Sequence, residues 1–285
     1  MKKAIVLMLV TGFFSAAYAQ DKALLYEVSG KGLPQPSYLY GTFHLVCPAD
    51  LRLSPSMTRA MSDSKQLYLE LDMDDPALQV SMMGSMMFSD GKSLKDFMSP
   101  ADHAVLDRYL TQALGTGLAR LGMLKPVALL GLIYQGILQC QPASYDLTFA
   151  EMAGNEKKPI FGFETVEQQM ALFDKVPLEV QAKGLAEIAR KPNEAREEIA
   201  TLLDAYKAQD LPRLMKLSKE SDFDTEDAEF IENMLSRRNV NWIPMIEKAA
   251  RDKSTFFAFG AAHLGGPDGV INLLRAKGYS VKAVQ

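Results

Sequence analysis

Two of the three histidines in the chain occupy one repeated pattern. YLYGTFHLVCP holds Gly41, His44, Leu45 and Pro48; FFAFGAAHLGGP holds Gly260, His263, Leu264 and Pro267, and both read G-x-x-H-L-x-x-P. A glycine at the end of a strand has no Cβ, so an imidazole three residues later can approach a neighbouring backbone closely. Two neutral imidazoles brought together suit a divalent ion such as zinc, iron, nickel or manganese. A third ligand is then needed, and Glu70 in LYLELD is the first choice, because Leu69 and Leu71 take the opposite face of that strand. Asp72 shares the face of Glu70 and is the reserve. The competing reading of either histidine is a hydrogen-bonded structural role. His103, in SPADHAVLDRYL, lacks the pattern and reads as a solvated residue of a surface helix.

Further polar residues stand in short segments. Glu164 in IFGFETVEQQ follows an expected strand and is a candidate general base, ligand or capping group. Arg238 and Asn239 in SRRNVNW are candidates for holding a substrate carbonyl or orienting a carboxylate, with an ordinary ion pair as the alternative for the arginine. Asp146 in SYDLTFAEMA reads as a helix cap. Ala261 and Ala262 are short enough to leave room beside the second histidine.

The elements that must position these residues are legible in outline. LLYEVS, SYLYGTF and QLYLELD read as strands, with a short helix between the last two that is capped by Ser54 and starts on Pro55. From about residue 75 to 250 the chain is largely helical, broken at Gly91, Pro100, Pro126, Pro142, Pro177, Pro192 and Pro212, with one short strand in KKPIFGFET. STFFAFG, PDGVINLLRAKG and YSVKAV then read as strand, helix and strand. This predicts an α/β (α+β) fold, with a mixed central sheet drawn from the N- and C-terminal segments and a large helical insertion. The two patterned segments are expected as adjacent strands that deliver their histidines at the carboxyl ends, where open α/β sheets build sites.

Residues 1–19, with Lys2 and Lys3 before an apolar run that ends in small residues, have the form of a secretory signal. The expected mature chain, 20–285, is one domain located in the periplasm or released outside the cell, without a stable membrane span. An apolar content of 48% suffices for a core. The formal charge of −4 becomes −6 without the two leader lysines, which disfavours nucleic acid as a partner. Cys47 and Cys140 are the only cysteines, and in an oxidising compartment they read first as one disulfide, with Cys47 as a ligand or nucleophile as the alternative. The methionines of SMMGSMMF read as an adaptable packing or substrate-contacting face.

YGTFH and FGAAHLGG, together with YLELD, GFETVEQQ, RRNVNW and LLRAKGYSV in that order, resemble the TraB/GumN family, to which the Tiki proteases are related. The resemblance covers about residues 24 to 284. It implies a fold like that of erythromycin esterase and ChaN-type haem-binding proteins. It also implies a metal-dependent protease that uses His44, His263 and Glu70, with Glu164, Arg238 and Asn239 at other characteristic positions. The leading expectation is therefore an exported metal-dependent hydrolase, a peptidase, in which a manganese, cobalt or zinc ion activates water. Glu164 would take the proton, and Arg238 and Asn239 would stabilise the oxyanion. The alternative is a haem-, metal- or peptide-binding protein without turnover, and a non-peptide esterase is a third reading. The substrate is a peptide or a small molecule.

Overall fold

The computed structural model describes residues 22–89, 91–220 and 228–285; the expected leader at residues 1–19 lies outside them. Six strands form one mixed sheet: β1 (Leu25–Ser29), β2 (Ser37–Thr42), β3 (Gln66–Leu71), β4 (Ile160–Glu164), β5 (Thr255–Gly260) and β6 (Ser280–Ala283). Their order is β4-β3-β5-β2-β1-β6. The run β4-β3-β5-β2 is parallel, while β1 is antiparallel to both β2 and β6. β4, the strand expected within the helical stretch, forms one edge of this same sheet.

β5 sits between β3 and β2, and all six of its residues are buried. A strand covered on both faces reads as a continuous apolar run, as TFFAFG does. Phe256 and Ala258 face a core shared with Tyr40, Leu67, Leu69, Met57 and Phe149. Phe257 and Phe259 face the opposite core, with Leu39, Phe163, Trp242 and Ile246. Each buried phenylalanine contributes roughly 2 to 3 kcal/mol by leaving water. Gln66 closes the lower end of the β3–β5 pair, its amide donating to the Thr255 hydroxyl at 2.8 Å.

The proline punctuation marks helix starts. Pro55, Pro100, Pro126 and Pro192 stand in the first turns of Pro55–Asp63, Pro100–Leu114, Pro126–Leu138 and Pro192–Lys207, where the missing N–H costs nothing. Ser54 caps the first of these, accepting from the Met57 N–H. Helices Pro100–Leu114, Pro126–Leu138 and Leu178–Arg190 share a third core of their own, centred on Leu106, Leu110, Leu129, Ile133 and Leu185. His103 stands on the first of them, half-buried rather than fully solvated. An apolar cavity of about 340 Å³ opens among these helices, lined by Leu130, Tyr134, Leu185 and Ile199, and none of the predicted site residues borders it.

Cys47 and Cys140 are joined by a disulfide, with Cα atoms 5.8 Å apart. It ties the segment after β2 to the end of helix Pro126–Leu138. Among the described residues no helix is long and apolar enough to cross a membrane.

Candidate active site

The parallel β2–β5 pair places the two patterned segments side by side, with Thr42 opposite Gly260 and Gly41 opposite Phe259. Each glycine makes room for the other segment. A Cβ on Gly41 would lie 2.6 Å from Leu264 Cδ1 and 2.9 Å from Ala261 Cα, and one on Gly260 would lie 3.2 Å from His44 Nε2. Ala261 therefore packs against Gly41 and is 3% exposed, so it does not supply the open space expected of it. Gly41 is also held through its backbone: its N–H donates to Leu24 O at 2.9 Å, and its carbonyl accepts from the Tyr206 hydroxyl at 3.0 Å.

Glu70 stands where the β3–β5 ladder runs out. Beyond the Tyr68–Phe257 pair, its carboxylate replaces a backbone acceptor and takes the Gly260 N–H at 2.8 Å through Oε1. The same Oε1 lies 3.8 Å from His44 Nε2 and 4.0 Å from His263 Nε2. Burial disfavours the charged form of Glu70. The interactions with His44, His263 and Arg238 and the Gly260 N–H outweigh that cost and hold its carboxyl down at about 2.

His263 is fixed by a partner the sequence assigned elsewhere. Asn239 Nδ2 donates to Asp268 O at 2.9 Å, so its Oδ1 is the atom that faces His263 Nδ1 at 2.7 Å. An amide oxygen can only accept, so Nδ1 carries the proton and the Nε2 lone pair points towards Glu70 and Arg238. Burial, helped by the Arg238 charge, lowers the His263 pKa to about 3, and the ring is neutral at any ordinary pH. Trp242 lies over it with ring centres 4.5 Å apart. Asn239 thus has both ends of its amide engaged and orients an imidazole.

Arg238 is the hub. Its Nε donates to both Glu164 oxygens at 3.0 Å, and its Nη2 reaches Glu70 Oε2 at 2.6 Å and Glu164 Oε2 at 2.8 Å. Nη1 donates to Met234 O at 3.1 Å and faces His263 Nε2 at 3.2 Å. The guanidinium lies 4.8 Å from the Trp242 ring, one helical turn along Arg237–Asp252. Both oxygens of Glu164 are consequently taken by a cation, which makes it a charge partner rather than the free base expected. Gln169 Nε2 donates to both Glu70 and Glu164 at 3.3 Å. Gln169 and Trp242 were not singled out from sequence, although the i, i+4 spacing of Arg238 and Trp242 carries the signal for the latter.

His44 is more open, its side chain 61% exposed. Its Nδ1 faces Asp146 Oδ2 at 3.5 Å. Asp146 does not cap its helix: Ser144 does, accepting from the Leu147 N–H, and Asp146 is left free to turn towards His44. Desolvation in the cleft opposes protonation of His44, but the Asp146 contact and the Glu70 and Asp146 charges win and raise its pKa to about 9. Asp72 forms no ion pair with either histidine among the described contacts. Burial and the neighbouring Asp74 push its carboxyl up to about 6. The first part of the Met-rich segment lies on helix Leu78–Ser85, with Val80 and Met83 exposed, and Ser81 ties it to Glu167 on the helix that carries Gln169.

The model of the TraB/PrgY/gumN family matches residues 24–283. The chain belongs to the TraB/PrgY/gumN family. Two relatives of this family member are metalloproteases. TIKI2 of Xenopus tropicalis is 22% identical over 300 residues, which covers 87% of this chain and 57% of the relative. TIKI1 of Danio rerio is 21% identical over 299 residues, covering 87% of this chain and 60% of the relative. The chain therefore spans less than two thirds of the length of either. No solved structure matches.

The donor chemistry of the site suits a divalent ion: one ionised carboxylate, one imidazole locked with Nε2 free of its proton, and a second imidazole beside them. The separations of 3.8 and 4.0 Å from Glu70 Oε1 exceed the roughly 3.4 Å between two ligands about 2.1 Å from one tetrahedral ion, so the side chains would have to close in on it. As the side chains stand, no group of three or more histidine, cysteine or acidic residues among the described residues is drawn in tightly enough to enclose an ion. Arg238 Nη1 would have to leave His263 Nε2 for that imidazole to become a ligand.

Proposed function

We propose that the chain is an exported metal-dependent hydrolase acting on peptide bonds, with a divalent ion held by His44, His263 and Glu70. The observation that carries this reading is the meeting of both imidazoles at one Glu70 oxygen, from segments more than two hundred residues apart. The matched relatives, named as metalloproteases, support hydrolysis as the reaction and a peptide as the substrate. When bound, manganese, cobalt or zinc would lower the pKa of a coordinated water towards ~7 and polarise a carbonyl. The chain's own residues do the rest. Asn239 presents His263 in the neutral tautomer, Arg238 holds Glu70 in one orientation and balances it and Glu164, and Trp242 shields one side of His263 from water.

A binder without turnover is the second reading. It is favoured by the contact of Arg238 with His263 Nε2, which leaves one imidazole engaged. Purified protein is expected to contain a stoichiometric divalent metal and to cleave members of a peptide library in a chelator-sensitive way. His44→Ala and His263→Ala should each lower cleavage to background. Unchanged metal content and cleavage in both variants would sink the site. Metal binding without cleavage of any peptide would favour the binder, and a Soret band after addition of haem would assign the ligand.

Metal affinity should also depend on pH. His44 must lose its proton to bind an ion. Its pKa of about 9 therefore predicts affinity that rises about tenfold per pH unit up to about 9 and levels off above. In the metal-free protein the sign is reversed: the charged His44 contributes stability that is complete below its ordinary pKa of 6.5 and is lost as pH rises through about 9. Calorimetry in buffers of different ionisation enthalpy counts the released proton, and zero protons released at pH 7 would refute this account.

A further inference from the structure

Three attachments lie within four residues on one side and seven on the other of one short antiparallel contact. Cys47 is bonded to Cys140. Val46 and Ala143 exchange two backbone hydrogen bonds, the Val46 N–H donating at 3.0 Å and the Ala143 N–H at 2.7 Å. His44 then meets Asp146 at 3.5 Å. The contact runs outwards from a covalent link, through a backbone pair, to an imidazole and a carboxylate.

From this arrangement we infer that Asp146 is a positioning residue for His44, and that the Cys47–Cys140 disulfide with the Val46–Ala143 bridge is the clamp that keeps the pair in register. The inference deepens the hydrolase reading, but its first readout does not rest on it.

The need for such a clamp follows from the exposure of His44. His263 is buried among Trp242, Asn239 and Arg238, so packing fixes its ring. His44 follows the end of β2, its side chain is 61% exposed, and no aromatic neighbour stacks on it among the described contacts. An imidazole in that position samples several rotamers unless one nitrogen is engaged. Asp146 engages Nδ1, which turns Nε2 inwards to its place 3.8 Å from Glu70 Oε1. A carboxylate behind a ligating histidine selects the tautomer and orientation in this way, and its loss typically costs 10- to 100-fold in metal affinity.

The helix beginning at Tyr145 supplies rigidity. Ser144 caps it through the Leu147 N–H, and Tyr145 and Phe149 are buried in the core against Tyr40, so Asp146 projects from a fixed turn. An acidic residue in a first turn is also favoured by the helix dipole. That role alone would act on stability and leave the His44 ring unaffected.

The three histidines make a direct test practical. Protein labelled in its histidine rings, metal-free, is examined by nitrogen-detected and proton NMR, with His103→Gln and His44→Gln for assignment. The wild type is expected to show a His44 Nδ1–H signal protected from solvent exchange. Asp146→Ala and the paired variant Cys47→Ser with Cys140→Ser should each lose it, and Asp146→Asn, which keeps an acceptor oxygen, should retain it in part. Cobalt affinity of the same proteins should fall about 10- to 100-fold in Asp146→Ala.

A protected His44 signal that persists in Asp146→Ala, or is missing from the wild type, would overturn the positioning role. A signal unchanged in the paired serine variant would overturn the clamp. If that variant does not fold, Asp146→Ala and Asp146→Asn still decide the positioning role, and mild reduction of the disulfide in the folded wild type, read by the same His44 signal, decides the clamp. Loss of the signal in Asp146→Ala from a protein that binds no cobalt would uphold the positioning and refute the metal reading.

Discussion

Arg238→Ala is expected to cost about 3 to 5 kcal/mol of folding stability, because it leaves buried carboxylates without the charge that compensates them. Glu70 and Glu164 are only 10% and 12% exposed, and together they draw four charge-assisted contacts from one guanidinium. Removing it also empties the space beside Trp242 and frees His263 Nε2. Arg238→Lys keeps the charge, but an ammonium cannot bridge two carboxylates in the planar manner of Nε and Nη2, so an intermediate loss is expected. Urea denaturation near pH 7 measures both. A loss below about 1 kcal/mol for the alanine variant, the size of an exposed ion pair, would refute the hub. The acid limb gives a second check. Glu70, depressed to about 2, contributes stability that is complete above its ordinary range near 4.5 and is lost as pH falls through about 2. Without Arg238 its folded pKa rises, so that contribution is smaller and the acid transition begins at higher pH.

The paired glycines make the second prediction. Gly41→Ala should destabilise by about 3 kcal/mol, the upper part of the range for overpacking. Its new methyl would meet the backbone of Ala261 at 2.9 Å, and Gly41 itself is pinned by Leu24 and Tyr206, so neither side can yield. Gly260→Ala presents a different neighbour. Its methyl would meet the His44 ring at 3.2 Å and Glu70 Oε1 at 3.4 Å, and the exposed ring can swing away. Stability should then fall by less than in Gly41→Ala, while metal binding and cleavage fall sharply. Thermal unfolding alongside cobalt titration separates the two, and equal effects on both measures in both variants would contradict the packing described.

How far the site was legible in the sequence follows the range of each interaction. The strands, the Ser54 cap and the proline-led helices are local matters, decided by alternation, a hydroxyl at the right offset and a missing N–H. The repeated G-x-x-H pattern carries a tertiary message because each glycine is kept small by the other segment. Glu70 was found because its strand alternation leaves one face for it. That Arg238 orients carboxylates was among the readings of its segment, but its partners and the Asn239 contact were not legible, since two adjacent polar residues on a helix have the same appearance whether they bind substrate or lock a histidine. Only the placement of Asp268 O, which takes the Asn239 amide, decides the orientation. Asp146 was misread for a similar reason: an acidic residue at a helix start has a sufficient local explanation, and its partner lies about a hundred residues away.

The insertion of β5 between β3 and β2 bears on the order in which the molecule can come into being. A chain made from its amino end holds β2 and β3 long before Thr255 is added, and these two strands are not neighbours; each waits for the same late partner. Such far-separated pairings form slowly and leave strand edges open meanwhile. No nascent chain ending before Thr255 carries both imidazoles, so synthesis itself keeps them from meeting until β5 and the segment that follows it have been added.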